Sequence, residues 1–295
     1  MTLPKIGFIG LGLMGSAMVA RLQDQGDDVT VLGHKNRDGI EAALARGGSE
    51  AANGKALAEA SDIIMLCVGT SAQVESRMGG NNGVIAGLAE GKVVIDFGTS
   101  LPASTRALGD AVAATGATML DAPLGRTPSH GRKGLLNIMA AGDKPTYDSV
   151  KPVLDDLGEN VFHLGTLGTG HTIKLINNFF AMTTANAMSE AFAFCDVAGV
   201  PRQALYDVLS AGPNHSGMMD FVKAYAIDGD PMQLAFSARN GLKDDSYYTD
   251  MVEDTGRVST MAKSAKAALA QAVEDGHGDD MVPQMVDSFA RWFRQ

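Results

Sequence analysis

The chain reads as an α/β protein of two domains, a doubly wound parallel sheet over residues 1–164 and an all-helical domain over residues 165–295. Two patterns predict this. Up to about residue 163, short and continuously apolar runs alternate with helical segments, the composition of parallel strands buried on both faces. Beyond Gly165 amphipathic segments follow one another, separated by Gly, Pro or Asp, and no strand pattern is visible. With 295 residues, 45% of them apolar, the chain is long enough for two cores.

The expected strands are 5–9, 29–32, 63–68, 93–96, 118–121, 136–140 and 161–163. From His171 to Ala198 neither Pro nor Gly interrupts the chain, and Gly199 supplies a C-terminal stop. At about 1.5 Å per residue this is a helix of roughly 40 Å joining the two domains. Its apolar residues Ile173, Ile176, Phe179, Phe180, Met182, Met188, Phe192 and Phe194 run nearly all the way round, which predicts burial between other elements. Helices are expected within 201–212, 216–227, 236–256, 258–276 and 279–293.

Charge and composition exclude several partners. The 24 basic against 34 acidic residues give a net charge of -10, which disfavours nucleic acid, so any anion site must be local. Cys67 and Cys195 each sit in an apolar run, which argues for buried thiols and offers no disulfide framework or metal ligand set. No stretch reaches the ~20 apolar residues of a membrane span. The N-terminus enters a strand almost at once, leaving no room for a secretory leader, and the expected location is cytoplasmic, with an organelle matrix after processing as the alternative. His163, His215 and His277 lack metal-ligand spacing, the 16 methionines are expected as core packing, and Asp244-Asp245 is expected on a helix surface.

The first strand runs into Gly10-Leu11-Gly12-Leu13-Met14-Gly15 and then a helix. A turn without side chains lets backbone approach a pyrophosphate, and the helix N-terminus directs N–H groups and the positive end of its dipole at it. In this strand-turn-helix context the motif predicts a dinucleotide-binding, Rossmann-type domain. At the end of the second strand, where an NAD-selective site places a carboxylate for the ribose hydroxyls, the chain has Gly33, followed by His34, Lys35, Asn36 and Arg37. A missing carboxylate beside a basic cluster predicts preference for NADP(H), with NAD(H) as the alternative; a merely solvated loop is the other reading of these cations.

Three further motifs carry a resemblance to the β-hydroxyacid dehydrogenases, which include 3-hydroxyisobutyrate dehydrogenase and tartronate semialdehyde reductase. They are Asp121-Ala122-Pro123-Leu124-Gly125-Arg126-Thr127 with Gly134-Leu135-Leu136, then Gly168-Thr169-Gly170-His171-Thr172-Ile173-Lys174-Leu175-Ile176-Asn177-Asn178, then Leu242-Lys243-Asp244. The resemblance spans nearly the whole chain and implies a 6-phosphogluconate dehydrogenase-like fold. It assigns the first motif to the substrate loop, the second to the catalytic helix, and Lys243 to the approach to the cofactor. It also implies cofactor contacts at Leu13, Met14, Val68 and Thr99. Gly69 and Gly98 depart from the family's usual proline and serine.

Within that resemblance Lys174 is the expected general base or acid. Lys174 and Asn178 lie four apart, hence on one helix face, and desolvation beside an oxidised nicotinamide favours the neutral amine that base catalysis needs. Asn178 would orient lysine and substrate, with Asn177 assisting. Where most members carry Ser-Gly-Gly to hold a carboxylate, this chain has Gly125-Arg126-Thr127, whose added charge and hydroxyl suit an anionic tail richer in oxygen. The variant is similar to the 3-sulfolactaldehyde reductase branch. The expected reaction is hydride transfer between nicotinamide and a small β-hydroxyacid or semialdehyde, sulfonate or carboxylate, in a homodimer or homotetramer. A 3-hydroxyisobutyrate dehydrogenase or a tartronate semialdehyde reductase is the alternative within the enzymes. Retention of Lys174 counts against an imine reductase and against a redox sensor without turnover.

Overall fold

The structure, a computed structural model, describes residues 3–294. It divides into two compact units, one ending at Lys174 and the other beginning at Leu175.

In the first unit β1 (Ile6–Ile9), α1 (Leu13–Gln25), β2 (Val29–Leu32), α2 (Asp38–Ala45), β3 (Ser49–Ala51), α3 (Gly54–Ala60), β4 (Ile63–Leu66), α4 (Ser71–Met78), β5 (Val93–Asp96), α5 (Pro102–Ala113) and β6 (Thr118–Asp121) alternate. The six strands form one parallel sheet in the order β3-β2-β1-β4-β5-β6. Alternate side chains serve two cores. Ile6, Phe8, Met65, Ile95 and Leu120 pack with Met18 and Leu22 of α1. Ile9, Ile64, Leu66, Val94 and Met119 pack with Leu57, Val74 and Val112 of α3, α4 and α5. Burial on both faces is why these strands lack polar alternation.

After β6 come β7 (Leu124–Gly125), α6 (Pro128–Gly131), β8 (Leu136–Ala140), α7 (Lys144–Leu157) and β9 (Gly158–His163). The sequence reading places 136–140 and 161–163 in the parallel sheet, whereas the structure gives them a separate sheet, β7-β8-β9. The chain leaving β6 runs antiparallel to β8, with Asp121 bridged to Ala141 and Leu124 opposite Ile138, so β8 cannot extend the parallel ladder. Only alternate residues of β8, Leu136, Ile138 and Ala140, are fully buried. β3 and β7 went unread in the sequence because Ser-Glu-Ala and Leu-Gly contain no apolar run.

The chain then enters α8 (Thr169–Ala198), a continuous helix of 30 residues. Its first turn is tied to the sheet. Asp121, wholly buried at the end of β6, accepts hydrogen bonds from the N–H groups of Gly168 and His171, each at 2.7 Å. A side chain at Gly170 would lie 2.2 Å from the carbonyl oxygen of Met139, so the helix begins against backbone. The buried His171 ring shares a 2.8 Å hydrogen bond with Thr105 of α5.

In the second unit, α8 is followed by α9 (Arg202–Ser210), α10 (Gly217–Ala226), α11 (Ala238–Glu253), α12 (Thr260–Ala272) and α13 (Met285–Trp292). Met182, Ala185, Met188 and Phe192 of α8 pack with Met219, Val222, Leu269, Val286 and Phe289. α8 is therefore buried along one stripe and not on all sides. Ile176, Phe180 and Phe194 are exposed, Phe180 by 69%, because the other helices of this unit cover only the Met182–Phe192 face. Ile173, in the first unit, is also exposed. α11 approaches α8 closely where Gly241 meets the Met182 sulfur, and Phe179 stacks on Tyr248 with centroids 4.3 Å apart. No helix among the described residues is long and apolar enough to cross a membrane.

The Asp121 cap has a measurable weight. Asp121→Ala leaves two buried N–H groups unsatisfied and is expected to cost about 2–4 kcal/mol in urea unfolding. Asp121→Asn, which keeps one acceptor oxygen, is expected to recover about half of that loss. Equal, negligible losses in both variants would show that the cap does not hold the helix.

Candidate active site

The motif residues of the first unit gather at the carboxyl ends of the strands. Gly10 follows β1, Gly33 follows β2, Val68 follows β4, Thr99 follows β5 and Gly125 lies beyond β6. β1 and β4 are adjacent although β2 and β3 lie between them in sequence, so the strand order reverses here, the place where doubly wound sheets bind ligands.

The glycines of the first turn have different duties. Gly10 has φ +99°, and a Cβ there would lie 2.3 Å from the Cys67 carbonyl oxygen. A Cβ at Gly15 would lie 1.9 Å from the Gly10 carbonyl oxygen, so that glycine lets α1 seat against β1. Gly12, by contrast, has nothing within 4 Å of its Cβ position. It is the N-cap of α1, makes no side-chain cap, and no acidic residue occupies the first helical turn. Open space in front of an uncapped, uncontested helix N-terminus fits a pyrophosphate. Leu13 is exposed at this turn, while Met14 packs partly into the core.

Thr99 belongs to a tight turn built by Asp96. The buried Asp96 carboxylate accepts from the Gly98 N–H at 2.8 Å and from the Ser100 hydroxyl at 2.9 Å. A Cβ at position 98 would lie 2.9 Å from that same carboxylate, which accounts for glycine there. Val68 packs against Gly10, so the chain leaving β4 abuts the glycine turn. The neighbouring Cys67 thiol is pushed up to about 12 by burial, helped by the Asp96 charge, and stays protonated.

At the end of β2 the basic residues do not stand alone. Arg37 donates through Nη2 and Nη1 to Glu50 at 2.9 and 3.1 Å and through Nε to Glu41 at 2.7 Å. His34 and Lys35 are exposed.

Gly125, Arg126 and Thr127 carry the chain from the end of β7 to the start of α6. Arg126 has φ +77°, the left-handed region, which a non-glycine residue occupies at a cost of roughly 1 kcal/mol. Its Nη1 donates to the Leu135 carbonyl at 2.7 Å and pairs with Glu159, while Nε and Nη2 hold no partner among the described residues. Thr127, the N-cap of α6, shares hydrogen bonds with His130 at 2.8 Å and Ser129 at 2.9 Å.

On α8 Lys174 is half-buried and Asn177 exposed. Asn178, one turn after Lys174, is buried and its amide is held at both ends: Nδ2 donates to Asp244 at 2.6 Å, and Oδ1 accepts from Asn177 at 3.1 Å. Lys243 pairs with the other oxygen of Asp244 at 2.8 Å. Asp244 thus joins the asparagine and the lysine that the sequence singled out separately. The expectation that Asp244 and Asp245 lie on a helix surface is overturned, since both are fully buried. α11 is enclosed by α8 through Met182 and by α12 through Leu269, and no outward face is left at these positions.

The glycine turn at the point where the strand order reverses defines a dinucleotide-binding domain of the Rossmann type. Comparison with known proteins narrows the class. Residues 5–165 match the NAD binding domain of 6-phosphogluconate dehydrogenase, and residues 168–288 match the family described as NAD-binding of NADP-dependent 3-hydroxyisobutyrate dehydrogenase. The chain is 34% identical to the 2-hydroxy-3-oxopropionate reductase of Escherichia coli K12, over 68% of this chain and 70% of that protein. It is 32% identical to the 3-sulfolactaldehyde reductase of the same organism, over 71% of each. A 3-hydroxyisobutyrate dehydrogenase structure from Salmonella typhimurium has a TM-score of 0.83 at 25% identity, covering 96% of this chain and 99% of that one. The chain belongs to the β-hydroxyacid dehydrogenase family and is an NAD(P)-dependent enzyme.

Sequence reasoning missed Glu50, Glu159 and the structural part of Asp121 and Asp244. Asp121 and Asp244 stood inside quoted motifs, whereas Glu50 and Glu159 lie 13 and 33 residues from the arginines they bind, with no local signal.

Asp245 carries a pH dependence. Its two carboxylate oxygens are buried without a hydrogen-bond partner among the described residues, and burial, reinforced by the Asp244 charge and opposed by Lys266, pushes its pKa up to about 8. The folded protein therefore holds a proton that the unfolded chain releases near pH 4. Stability is expected to fall as pH rises from about 4 to about 8, by at most ~1.4 kcal/mol per pH unit, with no further loss from this group above that. Urea midpoints at pH 5, 6.5 and 8 should show this slope in the wild type and lose it in Asp245→Asn; an unchanged slope would contradict it.

Proposed function

We propose that Lys174 performs the proton transfer in reversible oxidation of a small β-hydroxyacid to its semialdehyde. The observation that carries this reading is the helix face bearing Lys174 and Asn178, with the Asn178 amide fixed by Asp244 and Asn177. A bound nicotinamide dinucleotide supplies or accepts the hydride. Gly10, Gly12, Leu13, Met14 and Gly15 would receive its pyrophosphate, Gly33, His34, Lys35 and Arg37 its adenosine ribose, and Val68, Thr99 and Lys243 the nicotinamide side. In the reductive direction the Lys174 ammonium gives its proton to the carbonyl oxygen, and in the oxidative direction the amine removes the hydroxyl proton. Asn178, already oriented, keeps one amide hydrogen for the substrate or the lysine.

Gly125, Arg126 and Thr127, with Asn177 and Asn178, would hold the substrate's anionic end. The two uncommitted donor groups of Arg126 support an oxygen-rich acid, and 3-sulfolactaldehyde is the proposed substrate; the likeness to a 2-hydroxy-3-oxopropionate reductase supports a carboxylate as the second reading. The two unpaired cysteines support a reducing, cytoplasmic setting, and the exposed row Ile173, Ile176, Phe180 and Phe194 supports a homodimer or homotetramer.

Lys174→Ala is expected to lower kcat by about 10²- to 10⁴-fold while cofactor binding persists. Retention of more than a few per cent of wild-type kcat would remove the role. For the substrate, kcat/KM for 3-sulfolactaldehyde should exceed that for tartronate and methylmalonate semialdehydes. Arg126→Gly, which keeps the left-handed turn, should erase that preference by about 10-fold or more while leaving stability within roughly 1 kcal/mol. A preference unmoved in Arg126→Gly would return the grip to backbone and Thr127.

A further inference from the structure

The end of β2 holds a carboxylate that the local sequence lacks. β3 runs parallel beside β2 with Val31 opposite Glu50 and Leu32 opposite Ala51. That register brings the Glu50 side chain over Gly33, where a Cβ would lie 2.1 Å from its Oε1. Glu50 therefore fills the space that a side chain at position 33 would take. The same carboxylate grips Arg37 through two hydrogen bonds, and the group rims an open pocket of about 560 Å³ with Leu32, Gly33, His34 and Ala51.

We propose that Glu50 sets the cofactor selectivity of this site: its carboxylate accepts the hydroxyls of an unphosphorylated adenosine ribose and, by holding Arg37, restrains binding of a 2′-phosphate. The inference rests on the dinucleotide reading above. Gly33 alone reads as a missing carboxylate and hence as a preference for NADP(H); the β3 register restores that carboxylate from the neighbouring strand.

Charge supports the assignment. Arg37 pairs with Glu41 of α2 and Glu50 of β3, and Asp38 follows it in the chain, so three carboxylates stand among the cations Lys35 and Arg37 and the cluster is not a basic patch. Arg37 holds the Glu50 carboxyl below its ordinary range, which favours the charged form. A 2′-phosphate, at about -1.5 to -2, must displace Glu50 from Arg37 and then tolerate it nearby. The Arg37 and Glu50 side chains remain 47% and 31% exposed, which makes the pair a weak latch. Selection is accordingly graded, and both NAD(H) and NADP(H) are admitted.

Calorimetric Kd values for NADH and NADPH on the full chain test this without turnover. Glu50→Gln is expected to tighten NADPH by roughly 10-fold, about 1.4 kcal/mol, and to weaken NADH by about 3-fold. Arg37→Ala is expected to weaken NADPH by about 10-fold, to leave NADH within about 2-fold, and to cancel the NADPH gain when combined with Glu50→Gln. A NADPH-to-NADH ratio that moves less than about 3-fold in Glu50→Gln, at an unchanged melting temperature, overturns the inference. Binding of neither cofactor by the wild type would overturn the dinucleotide reading as well, whereas binding with an unmoved ratio sinks this assignment alone.

Discussion

Asp121 receives the first turn of α8 on a carboxylate that is completely buried at the end of β6. Burial raises its proton affinity, while the nearby His171 ring and the two N–H groups lower it, so the helix terminus itself helps keep the capping charge in place. The consequence for function is positional. Lys174 lies one turn beyond these N–H donors, so its backbone is fixed to the sheet whose strand ends carry the glycine turn, Val68 and Thr99. The proton transfer proposed for Lys174 needs a group held to within about half an ångström of its working place, and a helix pinned at its first turn is suited to hold it.

Further along the helix Asp244 does for Asn178 what Asp121 does for the backbone. It accepts from the amide and pairs with Lys243, leaving the asparagine little rotational freedom. Beside it burial raises the Asp245 pKa to about 8, which favours its neutral form. Two adjacent acids on one helix thus have different surroundings, Asp244 meeting Asn178 and Lys243 while the Asp245 oxygens meet no donor among the described residues.

Much of this was legible from residues alone. The strands of the parallel sheet announce themselves because both faces are buried, and the N-terminal glycine turn and α8 stood in the sequence as a spacing and as an uninterrupted run. Three things were not legible. A two- or three-residue strand such as β3 is defined by its neighbour and not by its own composition. The exposure of Phe180 and Phe194 depends on which face the other helices cover, whereas hydrophobicity counts residues without knowing who covers them. Asp244 and Asp245 look like surface charges because polarity is read one residue at a time, but their burial follows from the close approach at Gly241. Of the candidate site, the motif positions were readable, and the partners that tie down Arg37 and Arg126 were not.

The fingerprint glycines also change what a motif match means. Gly10 and Gly15 are demanded by collisions inside the protein, with the Cys67 and Gly10 carbonyl oxygens, and only Gly12 faces open space. Two of the three glycines therefore report on packing within the protein, Gly10 on how the turn passes the end of β4 and Gly15 on how α1 seats against β1. The middle glycine alone meets no such demand from inside the protein, so it is the position at which inherited shape and retained chemistry can be told apart.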